Sequence, residues 1–239
     1  MIFTLNVSLR LINNNTMKAS LFIKQMAGTL IFYTVIFVSA GRFFYWPGLV
    51  YLFLGISMMI VGFTILRPDR ELMEERSKPG EGAKKWDKLI LGLSFLATIA
   101  MYCVAGLDSG RYQWSPEFHV SLFVSGIALT FAGQLLFLIA QKQNRFFSST
   151  VRIQSERGHT VCDKGLYKFV RHPAYFGSVI QAAGFPLLFG SLWSIIPVAV
   201  LIVLLVVRTA LEDRTLINEL EGYPGYTKKT RFRLIPYIW

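Results

Sequence analysis

The chain has 239 residues, of which 53% are hydrophobic and only 16% charged, and a formal net charge of +11. That leaves too little polar surface to cover a globule of this size, so a soluble domain is excluded and lipid must serve as solvent. Nor does the positive charge call for nucleic acid: the basic residues fall in segments between apolar stretches, where an anionic leaflet accounts for them, and no nucleic-acid-binding motif accompanies them.

Met17 is a plausible alternative start, which would make residues 1–16 a tail without function. The first apolar stretch, near 25–41, contains Val38-Ser-Ala40, a match to a signal-peptidase site. Its leader is unusually long and another apolar stretch follows at once, so an uncleaved helix is predicted. Stretches near 47–66, 88–107, 118–140 and 192–211 are also long enough to span a bilayer as helices. A sixth, 173–190, contains Pro186 and joins the next through almost no loop. Residues 173–211 therefore predict a tight helical hairpin whose first arm is short for a full crossing. The charged loop 67–88, with Pro79, Gly80 and Gly82, is the most linker-like segment. Its Gly80-Glu-Gly82 has no strand before it and no nucleotide-binding frame around it.

The expected fold is all-α: a polytopic integral membrane helical bundle of about six membrane segments, including the C-terminal hairpin. No internal repeat or separate soluble domain is visible, so residues 1–141 and 142–239 are expected to form one structural domain. Lys and Arg concentrate before residue 25, in 67–88, in 142–171 and from 208 onward, whereas only Arg42 and Arg111 fall in the alternate set. By the positive-inside rule both termini are expected in the cytoplasm. Cys103 lies within a predicted span and Cys162 in a cytoplasmic loop, so neither is expected in a disulfide.

The most informative stretch is Gly165-Leu-Tyr-Lys-Phe-Val-Arg-His-Pro-Ala-Tyr-Phe-Gly177. It sets basic and aromatic groups at the start of an apolar segment. Pro173 suits the first position of a helix, and the free N–H groups of that turn attract an anionic or acceptor-rich ligand. Upstream stand Gln154, His159-Thr-Val-Cys162 and Tyr167; downstream, Arg208 is followed four residues later by Glu212 and then Asp213. The tail from Gly222 to Pro236 adds an aromatic-Gly turn and a basic segment.

Together these features resemble the isoprenylcysteine carboxyl methyltransferase family of integral membrane methyltransferases, related to the phospholipid methyltransferases. The loop residues 67–76 and Lys84-Lys-Trp-Asp87 are similar to a loop of bacterial-type relatives. The resemblance implies a cytoplasmic pocket for S-adenosylmethionine formed by Gln154, His159, Thr160, Val161, Cys162, Tyr167, His172, Pro173, Ala174, Tyr175 and Glu212. It also implies that Arg208 and Glu212 are catalytic, with Arg208 binding the substrate and Glu212 the cofactor. Asp213 stands where the family has a second Glu, with a shorter reach.

S-adenosylmethionine carries its own activated methyl group, so binding, alignment and water exclusion are enough for transfer. No metal is expected, because His159 and His172 have no Cys or carboxylate at ligand spacing. His119 reads as an interfacial residue. Arg208 and Glu212, four apart, share a helix face and could simply pair. Yet Arg before Glu is the weaker order for such a pair, and Arg at the edge of hydrocarbon is costly without a task. An Arg suits a carboxylate. The resemblance implies a lipophilic or lipidated acceptor that enters laterally from the membrane and carries a carboxylate, as isoprenylcysteine does, and Arg208 is consistent with it. A phospholipid amine N-methyltransferase and an NADPH-dependent sterol-type reductase are the alternatives, alongside a silent scaffold. Lys228, Lys229, Arg231 and Arg233 read equally well as a basic tail on lipid headgroups.

Overall fold

The computed structural model describes residues 22–23, 26–66, 75 and 82–239, with no strand among them. Six apolar helices are present, matching the six apolar stretches. They are α1 (Met26–Ala40), α2 (Trp46–Val61), α3 (Lys85–Ala105), α4 (Val120–Gln143), α5 (Pro173–Phe189) and α6 (Ile195–Glu219). A short seventh, α7 (Tyr223–Lys229), lies in the tail. Wider π-helical turns, Gly62–Leu66 and Gly106–Tyr112, extend α2 and α3. Four segments are long and apolar enough to cross a membrane, Trp46–Thr64, Lys85–Tyr112, Val120–Gln143 and Ile195–Glu219, while α1 and α5 are shorter. The chain is thus a polytopic membrane helical bundle. Residues 1–21, including the alternative start, and 67–74 and 76–81 of the charged loop lie outside the described residues.

Local chemistry sets the helix ends. Pro173 opens α5 at a position where its missing N–H would have no partner. Gly190 closes it in a left-handed conformation, φ 62°, with its N–H on Leu187 O and that of Ser191 on Pro186 O. Only five residues separate α5 from α6, the tight hairpin expected from sequence. His119, rather than simply lying at an interface, caps α4 by accepting from the Ser121 N–H at 3.3 Å. At this end of the bundle the buried Asp108 carboxylate accepts from Ser115 Oγ at 2.6 Å and Ser191 Oγ at 2.5 Å, tying α3 to the hairpin turn.

Between helices in lipid, packing rather than water exclusion drives association, so close approach matters. The closest pair is α4 against α5. Gly126 and Gly133 on α4 face Gly184 and Gly177 on α5, both pairs being seven residues apart in sequence. A Cβ built on Gly133 would lie 2.4 Å from Gln181 N, and one on Gly177 2.6 Å from Gly133 O. Only glycine admits these backbone contacts. Deeper in the bundle, Phe185, Leu188 and Phe189 pack with Ile36, Tyr51 and Tyr102 into the main core. The α4/α5 pair fixes where the first turn of α5 emerges, and α3 packed on α6 fixes Asp87 beside Arg208.

Candidate active site

Residues 144–172 lie over the helix ends at which α3 and α5 begin, held by backbone contacts. The Val151 N–H donates to Asp87 Oδ2 at 2.7 Å, and Lys84 N–H to Val151 O at 3.2 Å. The signature glycine, Gly165, has φ 57°, and a Cβ there would sit 2.3 Å from Gln143 Oε1, which instead accepts the Leu166 N–H at 2.7 Å. The tail returns across the site, with Arg171 N–H on Phe232 O and His172 N–H on Arg233 O, both at 2.9 Å. Tyr226 Oη donates to Tyr167 O at 2.6 Å, closing α7 onto the same strip.

Asp213 is the knot beneath this strip. It is fully buried and accepts a two-pronged contact from Arg171, 2.8 Å on each oxygen, with Tyr223 Oη at 2.9 Å and Arg233 Nε at 3.0 Å. His172 Nε2 lies 3.3 Å from the same carboxylate. Two guanidiniums on one buried carboxylate satisfy charge that would otherwise be expensive to bury. Asp213 is thereby occupied in joining signature, helix and tail. Arg233 belongs to this cluster rather than to a lipid-facing tail.

Above the knot opens a cavity with about 780 Å³ of empty space when counted out to bulk solvent. His159, Thr160, Val161, Cys162, Tyr167 and His172 line it, joined by Ala174, Tyr175 and Glu212. Two residues expected there do not line it. Gln154 is fully buried, its Nε2 donating to Phe146 O at 2.7 Å and its Oε1 accepting from Arg157, so its side chain fixes the loop. Pro173 is likewise buried and serves by opening α5. The Tyr167 hydroxyl is tied to Ala140 O at 3.3 Å, making its ring a wall.

At the edge of the cavity, Tyr175 Oη donates to Glu212 Oε2 at 2.5 Å, while the Arg208 guanidinium lies 5.3 Å from the centre of the Tyr175 ring. Arg208 does not pair with Glu212. Its Nε meets Asp87 Oδ1 at 2.8 Å and its Nη2 donates to Ser149 O at 2.9 Å, leaving Nη1 without a hydrogen bond among the described residues. Arg208 instead borders a separate groove on the bundle side, walled by Leu91 and Ser94 of α3, Ser178 and Ala182 of α5, and Leu201 and Leu205 of α6. Tyr175 thus has the cavity's carboxylate at its hydroxyl and the groove's cation at its ring.

Burial, with Arg157 and Arg152 nearby, pushes His159 down to about 4, so it is neutral at physiological pH. Its Nδ1 accepts from the Gln154 N–H at 3.3 Å, which places the ring proton on Nε2. Burial raises the Cys162 thiol, making it an inert wall rather than a nucleophile. Cys103 and Cys162 are both unpaired. Arg152 is anchored by Glu75, which also accepts from Ser148 Oγ at 2.9 Å. Burial alone would raise the Glu75 carboxyl, but the Arg152 and Ser148 hydrogen bonds outweigh it and hold it low.

Residues 124–218, from α4 through nearly all of α6, match the isoprenylcysteine carboxyl methyltransferase (ICMT) family. Over these residues the chain is similar to that family, and the similarity supports a membrane methyltransferase in general. No curated protein matches the chain. The ICMT match includes the strip, the hairpin, Arg208 and Glu212, but not Asp87 or the tail that closes the cavity. Of these, Asp87 was the functional neighbour missed in sequence. Asp87 had only one signal, its place in Lys84-Lys-Trp-Asp87, and 121 residues separate it from the arginine it holds.

The donor set fits the methyl donor of that family. Ala174 and Tyr175, in the first turn of α5, have N–H groups with no partner inside the helix, which suit a carboxylate. Glu212 suits a cation, and Phe146, Phe147 and Asn144 on the cavity wall suit a purine and its edge. S-adenosylmethionine presents all three kinds of group.

Proposed function

We propose that the chain transfers a methyl group from S-adenosylmethionine to the carboxylate of a lipophilic acceptor, isoprenylcysteine-like or of similar chemistry. The observation that carries this reading is the position of Tyr175. A carboxylate suited to a cation meets its hydroxyl from the polar cavity, and a cation suited to a carboxylate lies on its ring from the apolar groove. Donor and acceptor would therefore meet at this side chain from opposite sides.

When bound, the cofactor supplies an activated methyl group on a sulfonium. The protein's own share is alignment. Arg208 Nη1 holds the acceptor carboxylate while Asp87 and Ser149 O keep the guanidinium from swinging into the groove. Glu212 balances positive charge on the donor side, and the strip and tail keep water from the reacting atoms. A carboxylate is already ionised at neutral pH, so no side chain has to remove a proton. A phospholipid amine would instead bring a cation against Arg208, which disfavours that acceptor.

Titration of the detergent-purified chain with S-adenosylmethionine, S-adenosylhomocysteine and NADPH tests the cofactor assignment. Binding of the two sulfur compounds and not of NADPH is expected. Binding of NADPH alone would replace the methyltransferase reading with a reductase.

A further inference from the structure

A second chamber, of about 1480 Å³ counted out to its open side, lies among α1, α2, α4 and α5, apart from the methyl-transfer site. Phe137 forms part of its wall and packs edge-on against Phe147 of the cytoplasmic cavity, with ring centroids 5.6 Å apart. Ser178 of α5 borders both this chamber and the groove beside Arg208, so the two meet along that helix.

The lining combines hydrocarbon and amide. Phe32, Met58, Phe63 and Leu138 supply apolar wall, while Gln134, Gln141 and Gln181 all border the same space. Gln141 is only 6% exposed, and the side chains of Gln134 and Gln141 have no hydrogen-bond partner among the described residues. An uncompensated amide in an apolar setting is costly, so the two along one chamber call for a partner, while Gln181 beside them hydrogen-bonds the Tyr51 hydroxyl. Gln134 and Gln141 lie two turns apart on one face of α4, about 10 Å along the axis. Gln134 therefore sits at a depth where an ordinary acyl chain offers only carbon. The hydroxyls of Tyr51 and Tyr102, 3.4 Å apart, continue the polar line further in.

We propose that this chamber binds an oxygenated lipid, one with a polar end met by Gln141 and a hydroxyl or carbonyl in mid-chain met by Gln134 and Gln181. Its hydrocarbon lies along the Phe and Met wall. This site is independent of the proposed methyl transfer, and binding to it needs neither S-adenosylmethionine nor an acceptor.

The probes are stearate and a hydroxystearate with its hydroxyl at mid-chain, titrated into the full-length protein in detergent. One additional hydrogen bond predicts about three- to tenfold tighter binding of hydroxystearate. Combining Gln134→Leu with Gln181→Leu, close in volume to the originals, should abolish the preference while leaving S-adenosylhomocysteine affinity unchanged. Met58→Trp, which fills the chamber from α2, should weaken both fatty acids and serves if the double variant does not fold. Equal affinity for the two fatty acids in the parent protein, as a water-filled chamber would give, overturns the proposal. So does a hydroxyl preference that survives the double Gln→Leu variant, or binding of both fatty acids that Met58→Trp leaves undiminished.

Discussion

Arg208 has two partners already, Asp87 and Ser149 O, and that changes what a substitution there reports. A lysine would keep the charge but could not hold Asp87 and an acceptor carboxylate at once. Arg208→Lys is expected to lower methyl transfer by at least about tenfold while S-adenosylhomocysteine affinity stays within about twofold. A parallel fall in affinity and thermal midpoint would make Arg208 part of the scaffold instead. At Asp213 the expectation is structural: Asp213→Asn leaves Arg171 and Arg233 without their shared counter-charge, costing about 3–5 kcal/mol. The readout is a lower thermal midpoint with faster proteolysis of the tail. His159 sets an acid limit. Once unfolded it takes up a proton below about 6.5, whereas folded it stays neutral down to about 4. The unfolded state therefore binds more protons across that window, and stability is lost as pH falls through it. His159→Gln should flatten this part of a thermal-midpoint profile measured from pH 7 to 4.

The α4/α5 pair is the element on which the site depends, because it sets the height and rotation of the first turn of α5. Its glycines leave no room for a methyl group: the atom nearest a Cβ on Gly133 is backbone, at 2.4 Å, and cannot rotate away. Gly133→Ala is expected to separate the helices, shift Ala174 and Tyr175 and weaken S-adenosylhomocysteine binding, with a fall in thermal midpoint. Gly92, with nothing within 4 Å of its Cβ, is the control: Gly92→Ala should leave both unchanged. The existence of α4 and α5 was legible from hydropathy, and the start of α5 from Pro173. Their contact was not, since glycines spaced by seven report a small-residue face without naming the opposing helix.

At the scale of the molecule, the lopsided distribution of Lys and Arg predicts that the cavity and both ends of the chain face the cytoplasm. After replacement of Cys103 and Cys162, single cysteines at Lys164 and at the exposed Leu192 in the hairpin turn should label from opposite faces. Labelling from the same face would refute this topology. In such an arrangement a polar donor reaches the cavity from water, and a lipophilic acceptor reaches Arg208 from the bilayer.

Composition, apolar length and the signature around His172 together determined a helical membrane protein and pointed to a candidate site between residue 154 and Glu212. These are properties of segments, readable wherever the segment sits. Tertiary structure alone decided which groups act together. It paired Arg208 with Asp87 rather than with its helical neighbour Glu212, because α3 packs on α6 and brings a fully buried carboxylate within 2.8 Å. It turned Gln154 into a loop brace and Asp213 into the knot of the tail, since burial left each of them surrounded by protein donors. Side-chain roles of this kind depend on through-space partners, and one-dimensional order does not encode them locally.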